Sequence, residues 1–284
     1  MTEFRPGSFQ ILPVVIKNLL IINGLAFLAQ LTIDGLGSST ELLPRTGQMA
    51  DLFALHHLLS PLFKPWQLFT YLFMHGSIGH IASNMFALWM FGSVLENLWG
   101  PKRFLMFYLI CGIGAAVLHL GALWYESMPI LADFQNFKIH PTPQNFYDFF
   151  RQHPSLFVNT EVVSSFTNQW KTDPTNSQYT VEAIKAITDF TNTSISGTTM
   201  GASGAVFGCL AAFGFLFPNN YIYLYFLVPI KVKWAITAYM LIELYSTWRN
   251  TAGDNVAHIA HLGGALVGFL LVYFWNRTNR RQFY

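Results

Sequence analysis

Long apolar runs separated by short polar breaks set the pattern of this chain. A helix crossing a hydrocarbon core needs about 20 mostly apolar residues, and six stretches approach that length. The first is Leu19 to Ile33, with apolar character reaching back to Val14. The second runs from about Gly79 to Leu98, and the third from about Phe104 to Tyr125. The fourth is Met200 to Phe217, the fifth about Val232 to Trp248, and the sixth about Val256 to Trp275. A shorter apolar stretch, Tyr221 to Pro229, contains a proline and reads as an interfacial loop or an extension of the fourth run. Arg5 and Lys17 before the first run imitate a signal peptide. No A-x-A-like cleavage site follows it, so an uncleaved first span is expected.

Composition sharpens this picture. Of 284 residues, 11% are charged and 17% are aromatic, against roughly 25% charged in ordinary soluble proteins. Too little charge is present to cover a water-facing surface, which excludes a soluble globule and a disordered chain. A net charge of +2 without a basic block gives no footprint for nucleic acid. Cys111 and Cys209 sit singly in apolar runs and form neither a disulfide framework nor a cysteine zinc module. The expected class is an all-α membrane protein with six transmembrane helices and no internal repeat.

Orientation follows from Lys and Arg in the short connections. Lys102 and Arg103 lie between spans two and three, and Lys231 and Lys233 between four and five. Arg277, Arg280 and Arg281 follow span six, and Arg5 and Lys17 precede span one. Six spans put all of these on one side, read as the cytoplasm of a cell membrane, plasma or inner, with both termini inside. Two long connections then fall outside. Asp34 to Ser77 holds Pro44, Pro61 and Pro65 with apolar patches, and reads as an ordered loop that partly enters the membrane. Residues 126–199 are rich in Asn, Thr, Ser and Pro, with a periodic patch at Val181 to Phe190. This divides one domain into 1–125, an extracytoplasmic insertion at 126–199, and 200–284.

Polar side chains inside spans are costly and mark function by default. His80 and Asn84, at the outer start of span two, are i and i+4 and share a helix face. Gly201 and Gly204 flank Ser203 at the outer start of span four, where small residues permit a tight turn and leave amide N–H groups free. His261, Gly264 and Gly268 share a face of span six, a seam smooth enough for close approach to span four. All three clusters lie at one depth on one side. Taken singly each is bland: the serine packs helices, the histidine bonds a carbonyl. His119, His56 and His57 keep that reading, and Glu96 and Glu243 read as paired structural acids.

These motifs resemble the rhomboid family of intramembrane serine proteases, from about Trp66 to the end of span six. They are the H-x4-H-x3-N run His75–His80–Asn84, the G-x-S-G tract at Ser203, and A-H-x-G-G at His261. Phe91-Gly92 with Glu96, and Gly100 with Arg103-Phe104, add support. The resemblance implies a six-helix core and a Ser203–His261 dyad without an acid, cutting transmembrane segments of other proteins and needing no metal or cofactor. It also implies an oxyanion hole from His80, Asn84 and the Ser203 amide, with His75 steadying the first loop. Three departures accompany it. Trp66-Gln67 stands where the family has Trp-Arg; Phe207 stands where Tyr is frequent; and the 126–199 connection is long. No Asp or Glu lies in spans four or six, so packing on Phe207 and the glycine seam is expected to orient His261.

Two other functions fit some of the residues. A metal-dependent membrane protein would use His75, His80, His258 and His261, although no H-E-x-x-H is present. An inactive rhomboid-like binder would escort membrane helices without cutting them. Substrate, cleavage site and oligomeric state leave no mark in the chain. The aromatic residues of the insertion, including Phe146, Tyr147, Phe149, Phe150, Phe157 and Trp170, point to a small folded cap or a membrane-surface element.

Overall fold

A computed structural model describes residues 9–34, 47–154, 158–224, 228–249 and 257–278. Arg5, Pro44, Phe157, Arg280, Arg281 and the Val256 start expected for span six lie outside the described residues. Among the described residues, four helices are long and apolar enough to cross a membrane. The first is α1 (Val14–Asp34). The second is built from α4 (Ile78–Ala87), a π-helical turn at Leu88–Gly92 and α5 (Ser93–Trp99). The others are α6 (Pro101–Ile139) and α12 (His258–Thr278).

The remaining two expected spans form helices that are shorter or more charged. The fourth, α10 (Ser203–Leu216), has 14 residues, fewer than the Met200–Phe217 run. Gly201 adopts φ +129°, a left-handed conformation open to glycine, and this turn postpones helix formation to Ser203. The fifth, α11 (Val232–Arg249), carries Lys233, Glu243 and Arg249 among its 18 residues.

Local chemistry sets the boundaries. The Ser77 hydroxyl accepts from the His80 N–H at 3.1 Å and caps α4. Gly100, at φ +80°, followed by Pro101 in the first turn of α6, makes the reversal between α5 and α6. Glu96 has a role that its sequence leaves open. Its two carboxylate oxygens accept from the Val15 and Ile16 N–H groups, both at 2.9 Å, and so satisfy the open amides at the start of α1.

The main core packs Leu72, Phe104, Tyr108, Cys111, Val206 and Cys209, with α6, α10 and α12 each in contact with the other two. Large apolar side chains face outward on α1 (Leu25, Leu28), α11 (Leu241, Ile242) and α12 (Leu266, Phe274). Such bands suit lipid and would be a liability in water. This is an integral membrane protein.

Between the third and fourth spans the chain is helical as well. Helix α6 does not stop near Tyr125 but runs unbroken through Pro129 to Ile139. Its 39 residues extend ~58 Å, roughly twice a hydrocarbon core. Its C-terminal part packs against α7 (Pro143–Gln152), α8 (Thr160–Thr172) and α9 (Ser177–Ile195) around a second apolar core. Phe134, Phe137, Phe146, Phe149, Trp170 and Ile187 fill it, which identifies the segment as a small folded unit. Tyr147 is 37% exposed at its edge.

The first loop holds α2 (Gln48–Phe53), β1 (Leu55–His56) and α3 (Gln67–Thr70), which a 3₁₀ turn at Tyr71–Phe73 extends. The Gln67 side chain organises this loop. Its Oε1 accepts from the N–H groups of His56 (3.3 Å) and Lys64 (3.1 Å). Its Nε2 donates to the carbonyls of Leu62 (2.9 Å) and Asp51 (3.2 Å). A neutral buried amide thus holds four backbone groups. Strand β1 pairs antiparallel with β2 (Thr198–Thr199), Leu55 opposite Thr199 and His56 opposite Thr198. The end of the helical unit is thereby stitched to the first loop just before Ser203. The Tyr221–Pro229 stretch forms β3 (Tyr221–Leu224), paired with β4 (Val228–Lys231). Tyr221, Tyr223 and Val228 are exposed there.

Candidate active site

The approach of α12 to α10 is set by glycine. A methyl group on Gly264 would collide with the Gly204 carbonyl, and one on Gly268 would lie 2.6 Å from the Gly208 Cα. On its other side Gly204 faces Ala115, and Gly208 faces Cys111. Backbones this close carry the side chains at the top of the seam into contact. The Ser203 Oγ and His261 Nε2 atoms are 2.8 Å apart. The Phe207 ring stacks on the His261 imidazole with centroids 4.2 Å apart and planes 7° from parallel. Ser203 is the first residue of α10, so its amide and the next two have no carbonyl within the helix to bond.

The turn before Ser203 is anchored twice. The Gly201 N–H donates to the Tyr71 carbonyl at 2.9 Å, and the Tyr71 hydroxyl donates to the Gly112 carbonyl on α6 at 2.6 Å. His119 joins in, its Nε2 lying 2.7 Å from the Thr199 Oγ1. A histidine whose sequence context is bland therefore fixes the strand that leads to the serine.

Gly201 also seats the first cluster. A methyl there would lie 2.7 Å from His80 Cε1 and Nε2 and 3.6 Å from Asn84 Nδ2. His80 Nδ1 accepts from the Gly76 N–H at 3.4 Å, which assigns the ring proton to Nε2, on the edge of the ring that faces Gly201. Asn84 is buried, and its Nδ2 has no hydrogen-bond partner among the described residues. An unpaired buried donor costs roughly 1–3 kcal/mol. His75 lies outside the spans and meets His80 edge-on at 5.1 Å. Burial first, and then the His80 imidazole, push its pKa down to about 3, so it packs there as a neutral ring.

One group adds to the sequence reading. The motifs alone lead to a His261 oriented without an acid and a Glu243 that is a structural carboxylate. Glu243, on α11, directs one oxygen at both α12 histidines. Its Oε2 accepts from His261 Nδ1 at 2.9 Å and from His258 Nδ1 at 2.6 Å. The expectation rests on acids in the helices that carry Ser203 and His261, whereas this one reaches across from a third. A usable signal is present in the chain. Glu243 lies six residues from the C-terminal end of α11 and His261 three from the N-terminal end of α12, which antiparallel neighbours bring within ~5 Å of one another along the axis.

The four histidines of the metal reading do not gather. His75 and His80 pair with each other, while His258 and His261 join Glu243. Ligand atoms of Glu243, His258 and His261 lie within 4.8 Å of one another, which is metal-like spacing. A cation held through His261 Nδ1 would leave the ring proton on Nε2, the atom facing Ser203 Oγ. That arrangement could not accept the serine proton.

Ser203 and His261 thus meet at the N-terminal ends of α10 and α12, with the buried Asn84 of α4 near the turn before Ser203, in a membrane protein. The Rhomboid domain model matches residues 62–128 and 174–278, more than half of the chain. The chain belongs to the rhomboid family. The family match leaves out residues 129–173, within the helical unit between α6 and α10.

Relatives share modest identity. Rhomboid protein 1, mitochondrial, of Saccharomyces cerevisiae is 24% identical over 215 residues, 74% of this chain and 42% of that protein. RHOMBOID-like protein 12, mitochondrial, of Arabidopsis thaliana is 26% identical over 221 residues, 76% of this chain and 47% of that one. Rhomboid protease GluP of Bacillus subtilis is 40% identical over 52 residues, 18% of this chain and 10% of GluP. The chain thus spans about half the length, or less, of these relatives. Two of the three named here are mitochondrial, so they give no support to a cell-membrane location.

Proposed function

We propose that this chain is an intramembrane serine endopeptidase that hydrolyses peptide bonds in or beside transmembrane segments of other membrane proteins. The 2.8 Å contact between Ser203 Oγ and His261 Nε2 carries this reading. A serine hydroxyl is a weak nucleophile until a base takes its proton. Here Ser203 Oγ attacks the scissile carbonyl while its proton passes to His261 Nε2. Collapse of the tetrahedral adduct breaks the C–N bond, and the imidazolium returns the proton to the leaving amine. Water, deprotonated by the same nitrogen, then hydrolyses the acyl-serine.

The oxyanion is received by the Ser203 N–H, Asn84 Nδ2 and His80 Nε2–H. Asn84 supports this role because its donor is buried and unpaired in the resting site. The donor is already desolvated, so binding the developing charge needs no reorganisation. In this reading α10 and α11 complete a six-span bundle, with the Lys102 and Lys231 ends inside. The helical unit at 126–199 then stands on the outer side, above the site. At 14 residues, α10 spans ~21 Å of a ~30 Å core, so Ser203 lies below the outer surface and water needs only a shallow path. A fully bonded substrate helix shields its carbonyls, so substrates with helix-weakening Gly or Pro near that face are preferred.

The test is cleavage of a panel of model transmembrane segments by the purified chain and by Ser203→Ala, alongside fluorophosphonate labelling. Cleavage and labelling of the native chain, both lost in Ser203→Ala, are expected. Cleavage that persists in Ser203→Ala moves the chemistry elsewhere. A native chain that binds these segments but never cuts or labels is an inactive binder.

A further inference from the structure

Glu243 is 5% exposed in a membrane helix, and burying a carboxylate there costs several kcal/mol unless its charge is answered. No Lys or Arg answers it among the described residues. Two imidazoles do, both through Nδ1 and both from one face of α12. A carboxylate oxygen only accepts, so the hydrogen on the 2.9 Å contact belongs to His261 Nδ1. That assignment leaves His261 Nε2 as a bare lone pair, 2.8 Å from Ser203 Oγ. Stacking on Phe207 fixes the plane of the ring but not its tautomer or its charge.

We propose that Glu243 is a positioning residue that completes a Ser203–His261–Glu243 triad, with His258 fixing the carboxylate by a second hydrogen bond. Resting on the serine-protease reading above, the inference adds to it the origin of the tautomer and of charge balance. As Ser203 Oγ attacks, its proton moves to Nε2 and the imidazolium forms against an anion already in place. The carboxylate keeps its charge and accepts the Nδ1–H bond throughout. When the leaving amine takes the proton from Nε2, the imidazole returns to the same tautomer. Water, the second substrate, then gives a proton to the same Nε2 and attacks the acyl carbon; the ester bond breaks and the proton returns to Ser203 Oγ, which closes the balance. In soluble serine proteases, replacing the corresponding carboxylate by its amide leaves the geometry intact and lowers kcat by about 10⁴.

The experiment uses the full chain in proteoliposomes, with native protein, Glu243→Gln, Glu243→Asp and Ser203→Ala compared on one cleavable transmembrane segment. Glu243→Gln keeps the volume and an acceptor but loses the anion, and kcat is expected to fall by roughly 10²–10⁴ with KM within about twofold. Glu243→Asp restores the anion on a shorter arm and is expected to recover at least about tenfold of that loss. Thermal melting of both variants should match the native chain. A Glu243→Gln kcat within about threefold of native overturns the proposal. So does equal inactivity of the Gln and Asp variants with a lowered melting temperature, which is the signature of a structural acid. If Glu243→Gln does not fold, Glu243→Asp decides alone. A kcat loss of about tenfold or more at unchanged KM supports the triad, and native kcat refutes it. Residual cleavage by Ser203→Ala is a separate result, which defeats the serine-protease reading and not merely the role of Glu243.

Discussion

Gly264→Ala should disable this protein although the substituted atom touches neither reacting group. The added methyl would collide with the Gly204 carbonyl, backbone against backbone, where no side chain can rotate away. The Gly268→Ala methyl, at 2.6 Å from the Gly208 Cα, gives the scale. Carbon atoms settle at about 3.5–4.0 Å, so the helices must part by ~1 Å or more. Overpacking of this kind costs about 1–3 kcal/mol of stability. The effect on chemistry is of similar size in free energy but falls directly on the rate. Opening the 2.8 Å Ser203–His261 contact by ~1 Å takes it past hydrogen-bonding reach, and a misplacement of that size costs about 10²-fold in rate. A methyl added to Gly121, on α6, would meet nothing within 4 Å, so Gly121→Ala should leave labelling intact and stabilise its helix by up to ~1 kcal/mol. Fluorophosphonate labelling rates and melting temperatures of Gly264→Ala, Gly268→Ala and Gly121→Ala measure this. The reasoning fails if Gly264→Ala labels at more than half the native rate, or if Gly121→Ala is as damaging as the seam variants.

Two further outcomes follow from the site. Asn84→Ala should lower kcat by about 10²–10³ with little change in KM, and melting should not suffer, since the lost donor is unpaired in the resting protein; a raised KM at native kcat would instead make Asn84 a ground-state contact. Replacing residues 143–195 by a Gly/Ser linker, while keeping β2 and its pairing with β1, should change preference across a panel of substrates and leave Ser203 labelling intact; unchanged preference would make the helical unit a spacer.

How far the sequence reveals the fold depends on whether a feature is local. Spans α1, α4–α5, α6 and α12 announce themselves as apolar runs because lipid demands length and hydrophobicity from each helix separately. The glycine seam is legible for the same reason, since Gly264 and Gly268 share a face by spacing alone. The outer half of α6 is harder to read. Ile130, Phe134 and Phe137 recur at helical spacing, but the polar residues between them resemble a loop until the second core is seen. Glu96 and Gln67 escape for another reason. Their partners are backbone groups distant in sequence, at the start of α1 and across the first loop. No residue-type pattern records a backbone partner.

Glu243 shows where sequence reasoning meets a tertiary limit. Ser203, His261 and Glu243 come from α10, α12 and α11, and the seam fixes only the first two against each other. Among the described residues of α11, Val232 and Glu243 are the buried ones. Val232 lies at the start of the helix, and Glu243 is tied to α12 by its bonds to His258 and His261. The acid therefore holds α11 in place and α11 holds the acid in place, so any displacement of this helix from α12 also releases His261 Nδ1. A structural role and a positioning role are thus coupled in one side chain. The separation of kcat from melting temperature in Glu243→Asp is the measurement that distinguishes them, because the shorter acid preserves charge while changing reach.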